Sequence, residues 1–362
     1  MQGFWMQGLI LVLSKPPFPL VSPRYQPGRI ERRLLQLGFD YCLQCHACVM
    51  PHAMMPHAMM PHAQKNLMQI SGLELWQWRV EAIASAQAAG IAPAEVDWLL
   101  LEVAGLDRLA LRLQSFKHQP HIPLQLSVAE LTELWRKRIS ERVPVQYLTG
   151  RTPWRRFSLA VTPAVLIPRP ETESIVEFAR TACNGNSELE GGHWADLGTG
   201  SGAIAIGLAE VLTKATIHAV DCSSDALAIA QQNAGDLGFS QRIQFDRGSW
   251  FEPLQALKGQ LAGLVSNPPY IPTGTVPHLQ PEVALHEPHL ALAGGEDGLD
   301  CIRHLVETAP AYLHPGGVWL VEMMAGQADT VAELLRRQGS YAGIQILPDL
   351  AGVQRFALAY RI

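Results

Sequence analysis

From Leu73 onward, apolar residues recur at three- and four-residue spacing. Leu75, Trp76, Val80 and Ile83 share one face, the period of an amphipathic helix, and Gly90 ends the run. Pro93 sits where a first helical turn tolerates it, and Val96, Leu99, Leu100 and Val103 form the next stripe before Gly105. Ser127 is placed to cap a third long helix, with Leu131, Leu134, Trp135 and Ile139 on its inner face. Helices this closely spaced predict a compact bundle over residues 68–143. No group of residues in it has the look of a catalytic constellation, so its expected role is to recognise a partner or to act as a scaffold.

The period then changes. Tyr147-Leu148 and Phe157–Val161, with Gly150 and Pro153 between them, predict a β-hairpin linker over residues 144–161. Beyond it, in residues 162–362, short apolar strands alternate with helices: 193–197, 216–220, 242–245, 263–265 and 318–322. That alternation predicts an α/β domain with a mostly parallel sheet covered on both faces. Two further strands, 343–347 and 354–359, complete seven and read as an antiparallel hairpin at one edge.

Residues 1–67 follow neither period. Positions 51–63 read PHAMMPHAMMPHA, a repeat too short for a solenoid and without an amphipathic face. Cys42-Leu43-Gln44-Cys45-His46 matches the short pattern of covalent haem attachment, and Cys48 with the repeat histidines could be drawn into a metal site. So short a pattern is easily met by chance and no export signal accompanies it, so neither haem nor metal is expected. Residues 1–67 are read as a low-complexity, disordered extension, or as an upstream region translated from a start placed too early, with Met68 as the natural beginning.

Charge narrows the partners. The chain carries 28 basic and 33 acidic residues, a formal net charge of -5. Residues 1–67 hold six basic and two acidic ones, leaving -9 on the remainder. An acidic body is a poor nonspecific binder of nucleic acid, so DNA is not an expected partner. No apolar run is long enough to span a bilayer, and six cysteines scattered without a framework fit a reducing cytoplasm. A monomer is the expected state.

Asp196-Leu197-Gly198-Thr199-Gly200-Ser201-Gly202 ends the first strand of the α/β region and opens a helix. Three alternating glycines let the backbone turn tightly and approach a ligand that side chains would keep away. With Ala203 the spacing also completes a variant dinucleotide fingerprint, so it suits a nicotinamide cofactor as well as S-adenosylmethionine. Asp221, after the second strand, can accept hydrogen bonds from both ribose hydroxyls of either ligand, or cap the following helix. Trp250, after the third, falls where ligands collect in an open α/β sheet, to lie against an adenine face or in the core.

Asn267-Pro268-Pro269-Tyr270 runs off the fourth strand at the same edge. Two prolines remove two backbone donors and stiffen the loop into an acceptor surface. The side-chain oxygen of Asn267 and the carbonyl of Pro268 can receive both N–H groups of a primary amide or exocyclic amine, while Tyr270 covers its plane. An amide nitrogen is a weak nucleophile, and two fixed acceptors favour the more positive, more pyramidal nitrogen of the transition state. This combination points to methyl transfer onto a planar N–H2 group. A nicotinamide-dependent enzyme would leave the tetrapeptide without a function.

From Met68 to the C-terminus the chain resembles the HemK/PrmC protein-(glutamine-N5) methyltransferases, which modify the glutamine of the GGQ motif in peptide chain release factors. The resemblance is carried by the helical leader, Tyr147-Leu148-Thr149-Gly150, Leu166-Ile167-Pro168-Arg169-Pro170-Glu171-Thr172-Glu173, the glycine loop and the Asn267–Tyr270 segment. It implies a seven-stranded Rossmann-like class I methyltransferase sheet behind a small helical bundle and a β-hairpin linker. It further implies a cytoplasmic enzyme using S-adenosyl-L-methionine, with S-adenosyl-L-homocysteine as product, and class 1 release factors as partners. Gly198, Thr199, Gly200, Ser201, Gly202, Asp221, Trp250 and Asn267 would contact the cofactor. Asn267, Pro268, Pro269 and Tyr270 would hold the glutamine, Asn267 and Pro268 being the catalytic pair, and no metal takes part. Ser249 stands where many relatives have an acidic residue, so the resemblance does not carry over the contact to the adenine amino group at this position. A ribosomal-protein glutamine methyltransferase and, further off, a DNA adenine-N6 methyltransferase share the tetrapeptide chemistry.

Overall fold

The computed structural model describes residues 68–183 and 185–362. The Cys42–Cys48 cluster and the five-residue repeat lie outside the described residues.

Four helices open the described chain: α1 (Gly72–Ala88), α2 (Ala94–Ala104), α3 (Arg108–Leu113) and α4 (Val128–Ser140). Ser71 and Ser127 each form a capping box, with Glu74 and Glu130, so α1 and α4 start where the serines direct. Gly105 ends α2 in the left-handed conformation. A small antiparallel pair, β1 (Met68–Ile70) and β2 (Ile122–Leu124), ties the start of this region to the stretch before α4. The apolar stripes meet in one core around Leu75, Leu99, Leu100, Phe116, Leu131 and Trp135.

The linker departs from the expected pattern in its first half. Tyr147 and Leu148 belong to a short helix, α5 (Val145–Thr149), which Pro144 introduces and Gly150 closes at φ 71°. The hairpin is β3 (Arg151–Trp154) with β4 (Phe157–Ala160), so Pro153 lies inside a strand. A two-stranded ribbon tolerates a proline because one side of each strand needs no ladder hydrogen bond. The turn falls instead on Arg155-Arg156, with Arg155 at φ 51°.

After α6 (Glu173–Cys183) and α7 (Ser187–Gly191) comes the large sheet. Its strands are β5 (His193–Leu197), β6 (Thr216–Asp221), β7 (Ile243–Arg247), β8 (Leu261–Ser266), β9 (Leu313–Glu322), β10 (Tyr341–Pro348) and β11 (Gln354–Arg361), in the order β10-β11-β9-β8-β5-β6-β7. The five from β5 to β9 run parallel, and β11 pairs antiparallel with both β9 and β10, the expected edge hairpin. Helices α8 (Ala203–Val211), α9 (Ser224–Asp236), α10 (Pro281–His286), α11 (Asp300–Thr308) and α12 (Ala328–Gln338) fill the connections. One face of the sheet packs against α6, α8 and the hairpin residues Trp154 and Leu159, the other against α11 and α12. Among the described residues no helix is long and apolar enough to cross a membrane.

The chain builds outward from β5 to β7, then returns to β8 on the other side of β5. Connections therefore diverge at the carboxyl ends of β5 and β8, and a crevice opens between them. Ser266 donates its hydroxyl to the Leu197 carbonyl at 2.6 Å, fastening those two strand ends together.

Candidate active site

The glycine loop leaves β5 at Gly198, and its shape is fixed from below by Asp196. Thr199 Oγ1 donates to Asp196 Oδ2 at 2.6 Å, and the Ala205 amide, in the first turn of α8, donates to the same oxygen at 2.9 Å. Asp196 has no exposed surface, and burial pushes its carboxyl up to about 7 against those two hydrogen bonds. Gly198, Gly200 and Gly202 all have positive φ, from 53° to 80°. At Gly202 the glycine is required for space as well, since a Cβ there would stand 3.0 Å from that of Ala230.

A cleft of about 320 Å³ lies over this loop, lined by Gly198, Gly200, Asp221, Trp250, Asn267 and Pro269 among others. Its size is that of a small-molecule site. Asp221 takes the Gly200 amide on one oxygen and the Ser223 amide on the other, both at 2.9 Å, which holds its carboxylate at the rim with further acceptor capacity. Ser223 caps α9, so Asp221 is not needed for that purpose. Trp250 adopts φ 51°, uncommon for a bulky residue, and its ring leans over Gly198. It is half-buried and lines the cleft rather than filling the core. Thr199, Ser201 and Gly202 do not line the cleft. Thr199 and Ser201 are buried, and Ser201 presents its carbonyl to Asn233 at 2.9 Å.

The Asn267–Tyr270 segment forms the partition between that cleft and a second one of about 180 Å³. Pro269 faces the first, Pro268 and Tyr270 face the second, and Asn267 borders both. Asn267 Nδ2 donates to Thr172 Oγ1 at 3.3 Å, and no described residue donates to its Oδ1. Tyr270 donates its hydroxyl to Glu322 Oε1 at 3.1 Å, and burial with that nearby acid raises it far above the ordinary tyrosine range, so it stays protonated. Leu166 and Arg169 also line the second cleft, and Arg169 pairs at 2.6 Å with Glu287, a carboxyl that burial raises despite the guanidinium.

Several residues that shape the site carried no signal in the pattern. Thr172 stood inside a quoted motif without a role. Gly294 and Gly298 let a later loop press on the tetrapeptide: a Cβ at Gly294 would be 2.6 Å from the Pro269 carbonyl oxygen, and one at Gly298 2.3 Å from that of Tyr270. Gln327 donates to the Tyr270 carbonyl at 3.2 Å. Asn233 forms a reciprocal pair with the Ala160 backbone at 2.7 and 3.0 Å, joining β4 to the glycine loop. Each is set by tertiary proximity between distant segments, which spacing along the chain cannot reveal.

Residues 74–150 match the family described as PrmC N-terminal domain, and residues 189–277 one described as methyltransferase domain. The chain is 53% identical over 291 residues to a release factor glutamine methyltransferase of Synechocystis sp., covering 80% of this chain and 97% of that one. It is 48% identical over 284 residues to another of Thermosynechococcus vestitus, covering 78% and 96%. A solved structure of a ribosomal protein L11 methylase from Lactobacillus delbrueckii subsp. bulgaricus aligns at a TM-score of 0.40 with 18% identity, over 56% of this chain and 83% of that one.

Proposed function

This chain belongs to the release factor glutamine methyltransferase family, and from that premise we propose that it methylates the N5 amide nitrogen of the GGQ glutamine in class 1 peptide chain release factors, using S-adenosylmethionine. The observation that carries the reading is the place of Asn267, on the shared wall of two clefts. A nitrogen held there faces the occupants of both.

The residues of the first cleft fit S-adenosylmethionine. A Cβ at Gly200 would project into open space, so the glycine leaves room for a ligand against the backbone. Asp221 offers carboxylate lone pairs to ribose hydroxyls, and the Trp250 ring offers a flat apolar wall to adenine. When bound, S-adenosylmethionine supplies an electrophilic methyl group on a sulfonium. The protein orients the nucleophile. Asn267 Oδ1 and the Pro268 carbonyl accept the two amide N–H groups, and Tyr270 covers the amide plane. As the new N–C bond forms and the bond from methyl to sulfonium sulfur breaks, positive charge grows on nitrogen and both acceptors bind it more strongly, which lowers the barrier rather than merely tightening binding; one N–H proton is then lost to water, leaving the neutral N-methyl amide. Rigid prolines keep that geometry without reorganisation.

The helical region, residues 68–143, grips the release factor, with the 144–161 linker joining it to the methyl-transfer domain. Labelled S-adenosylmethionine with a release factor tests the assignment. Label is expected on the factor, not on one whose GGQ glutamine is changed, nor on DNA or a ribosomal protein. Asn267→Ala is expected to lower kcat by about a hundredfold or more, the scale of losing an oxyanion-hole donor. A chain starting at Met68 is expected to match the full chain's rate. Equal label on the changed factor, or transfer to DNA, contradicts the reading.

A further inference from the structure

A third cleft, of about 670 Å³, opens between the helical region with its linker and the segments around Arg169 and α10, and no step of the proposed reaction uses it. Glu95, Arg138 and Arg142 line one side, Arg169, Glu282 and Glu287 the other. It adjoins the second cleft, because Arg169 and Val283 line both. Its charges are matched. Arg138 pairs with Glu95 and Glu282 at 2.5 and 2.8 Å, Arg142 with Glu282 at 2.7 Å, and Arg169 with Glu287 at 2.6 Å. A phosphate or carboxylate entering there would meet the acids as well as the arginines. A peptide group is neutral and carries one donor and one acceptor, so it meets partners of both kinds.

Arg169 is the best prepared of these groups. Pro168 and Pro170 flank it and restrict its backbone, and the buried indole of Trp154 donates to its carbonyl at 3.0 Å. Buried Glu287 holds one Nη of its side chain. The guanidinium has five N–H groups, and its Nε and other Nη have no partner among the described residues while the side chain is 30% exposed. A donor fixed through both backbone and side chain, with N–H groups to spare, meets a ligand without first being ordered.

We propose that the third cleft receives the main chain of the release factor loop beside the methylated glutamine, and that Arg169 binds it by donating to the carbonyl of a peptide bond adjoining that glutamine. The inference rests on the reading of the second cleft as the place of the glutamine side chain. A side chain seated there brings its own main chain to that cleft's border, and Arg169 stands on the border shared with the third.

Arg169→Gln keeps a planar polar group and removes the charge. Its kcat/KM for release factor methylation is expected to fall by about tenfold to a hundredfold, the scale of a hydrogen bond to a charged group, with more of the loss in KM than in kcat. Arg169 does not line the first cleft, so affinity for S-adenosylmethionine, measured by calorimetry, is expected to stay at the wild-type value. Arg169→Lys keeps the charge without the fork and is expected to recover part of the loss. The contact itself is read from the substrate. A release factor assembled by chemical ligation, with the peptide bond before or after the glutamine replaced by an ester, has a weaker carbonyl acceptor at that bond. For one of the two esters wild-type KM is expected to rise by about twofold to tenfold, and Arg169→Gln to lose most of that sensitivity. An arginine that only bridges segments of the fold would leave the ester penalties equal in both proteins.

Equal penalties in wild type and variant, no penalty in wild type from either ester, or a wild-type KM in folded Arg169→Gln would overturn the proposal. If Arg169→Gln fails to fold because Glu287 has lost its partner, the Arg169→Gln/Glu287→Gln double variant removes the buried acid as well, and the same ester comparison decides. A wild-type protein that methylates no unmodified release factor defeats the underlying reading instead, so the two failures are distinguishable.

Discussion

At the scale of single residues, the site is built from carboxylates whose surroundings assign them different work. Asp221 stands at a rim, supported by two backbone amides. Replacing it by alanine removes hydrogen bonds to a charged acceptor, worth about 1.5–3 kcal/mol, so affinity for S-adenosylmethionine is expected to weaken by about tenfold or more. Titration calorimetry that finds an unchanged affinity would remove Asp221 from the binding site. Asp196 is a buried support instead. Its folded-state pKa, about 7, lies above the ordinary carboxylate value of 3.8. Between those values the folded state binds more protons than the unfolded one, so this group's contribution to stability declines as pH rises through that window. Asp196→Asn keeps an oxygen for Thr199 and Ala205, and its stability relative to wild type is expected to increase from about pH 5 to about pH 8 in urea unfolding. A pH-independent difference would show that Asp196 titrates normally.

At the scale of elements, the sheet and its helices were legible because each strand is a short apolar run ending at a turn signal. Ser127 and Gly105 marked helix ends for the same local reason, whereas the cap at Ser71 came only with the structure. The linker was legible only in its second half, where Phe157–Ala160 forms the expected strand. Tyr147 and Leu148 have strand-like side chains, yet Pro144 before them and Gly150 after them enclose a single helical turn. The hairpin turn at Arg155-Arg156 contains neither glycine nor proline, and Arg155 is held there through its backbone amide by Glu173 at 2.7 Å. Contacts between elements were equally hidden. Arg138 of α4 is 4% exposed and bridges Glu95 of α2 and Glu282 of α10 at 2.5 and 2.8 Å. Truncating Arg138 to alanine leaves part-buried Glu95 without its partner, while Glu282 keeps Arg142 at 2.7 Å, so the expected loss is about 3 kcal/mol, the low end of the usual cost of breaking a buried pair. Because α10 carries Val283, which lines the second cleft, KM for the release factor is expected to rise as well. An unchanged denaturant midpoint would show the bridge to be solvated and weak.

At the scale of the whole molecule, a parallel sheet whose winding reverses between β5 and β8 opens one crevice, and two loops from those strands furnish both halves of the proposed transfer site. The glycine loop and the Asn267–Tyr270 segment lie far apart in sequence but leave neighbouring strands at the same edge. That convergence was readable because each motif followed a recognisable strand. The partition of the crevice into two clefts was not, since it depends on Gly294, Gly298 and Gln327 pressing the tetrapeptide into place. The acidic body argues in the same direction, toward a protein acceptor rather than a polyanion. The most direct measurement is peptide mapping by mass spectrometry of a release factor after incubation with this protein and S-adenosylmethionine. A single methyl group on the side-chain nitrogen of the GGQ glutamine, absent with Asn267→Ala, is the expected result. Methyl groups on any other residue, or on that glutamine at an equal rate with Asn267→Ala, would contradict the account.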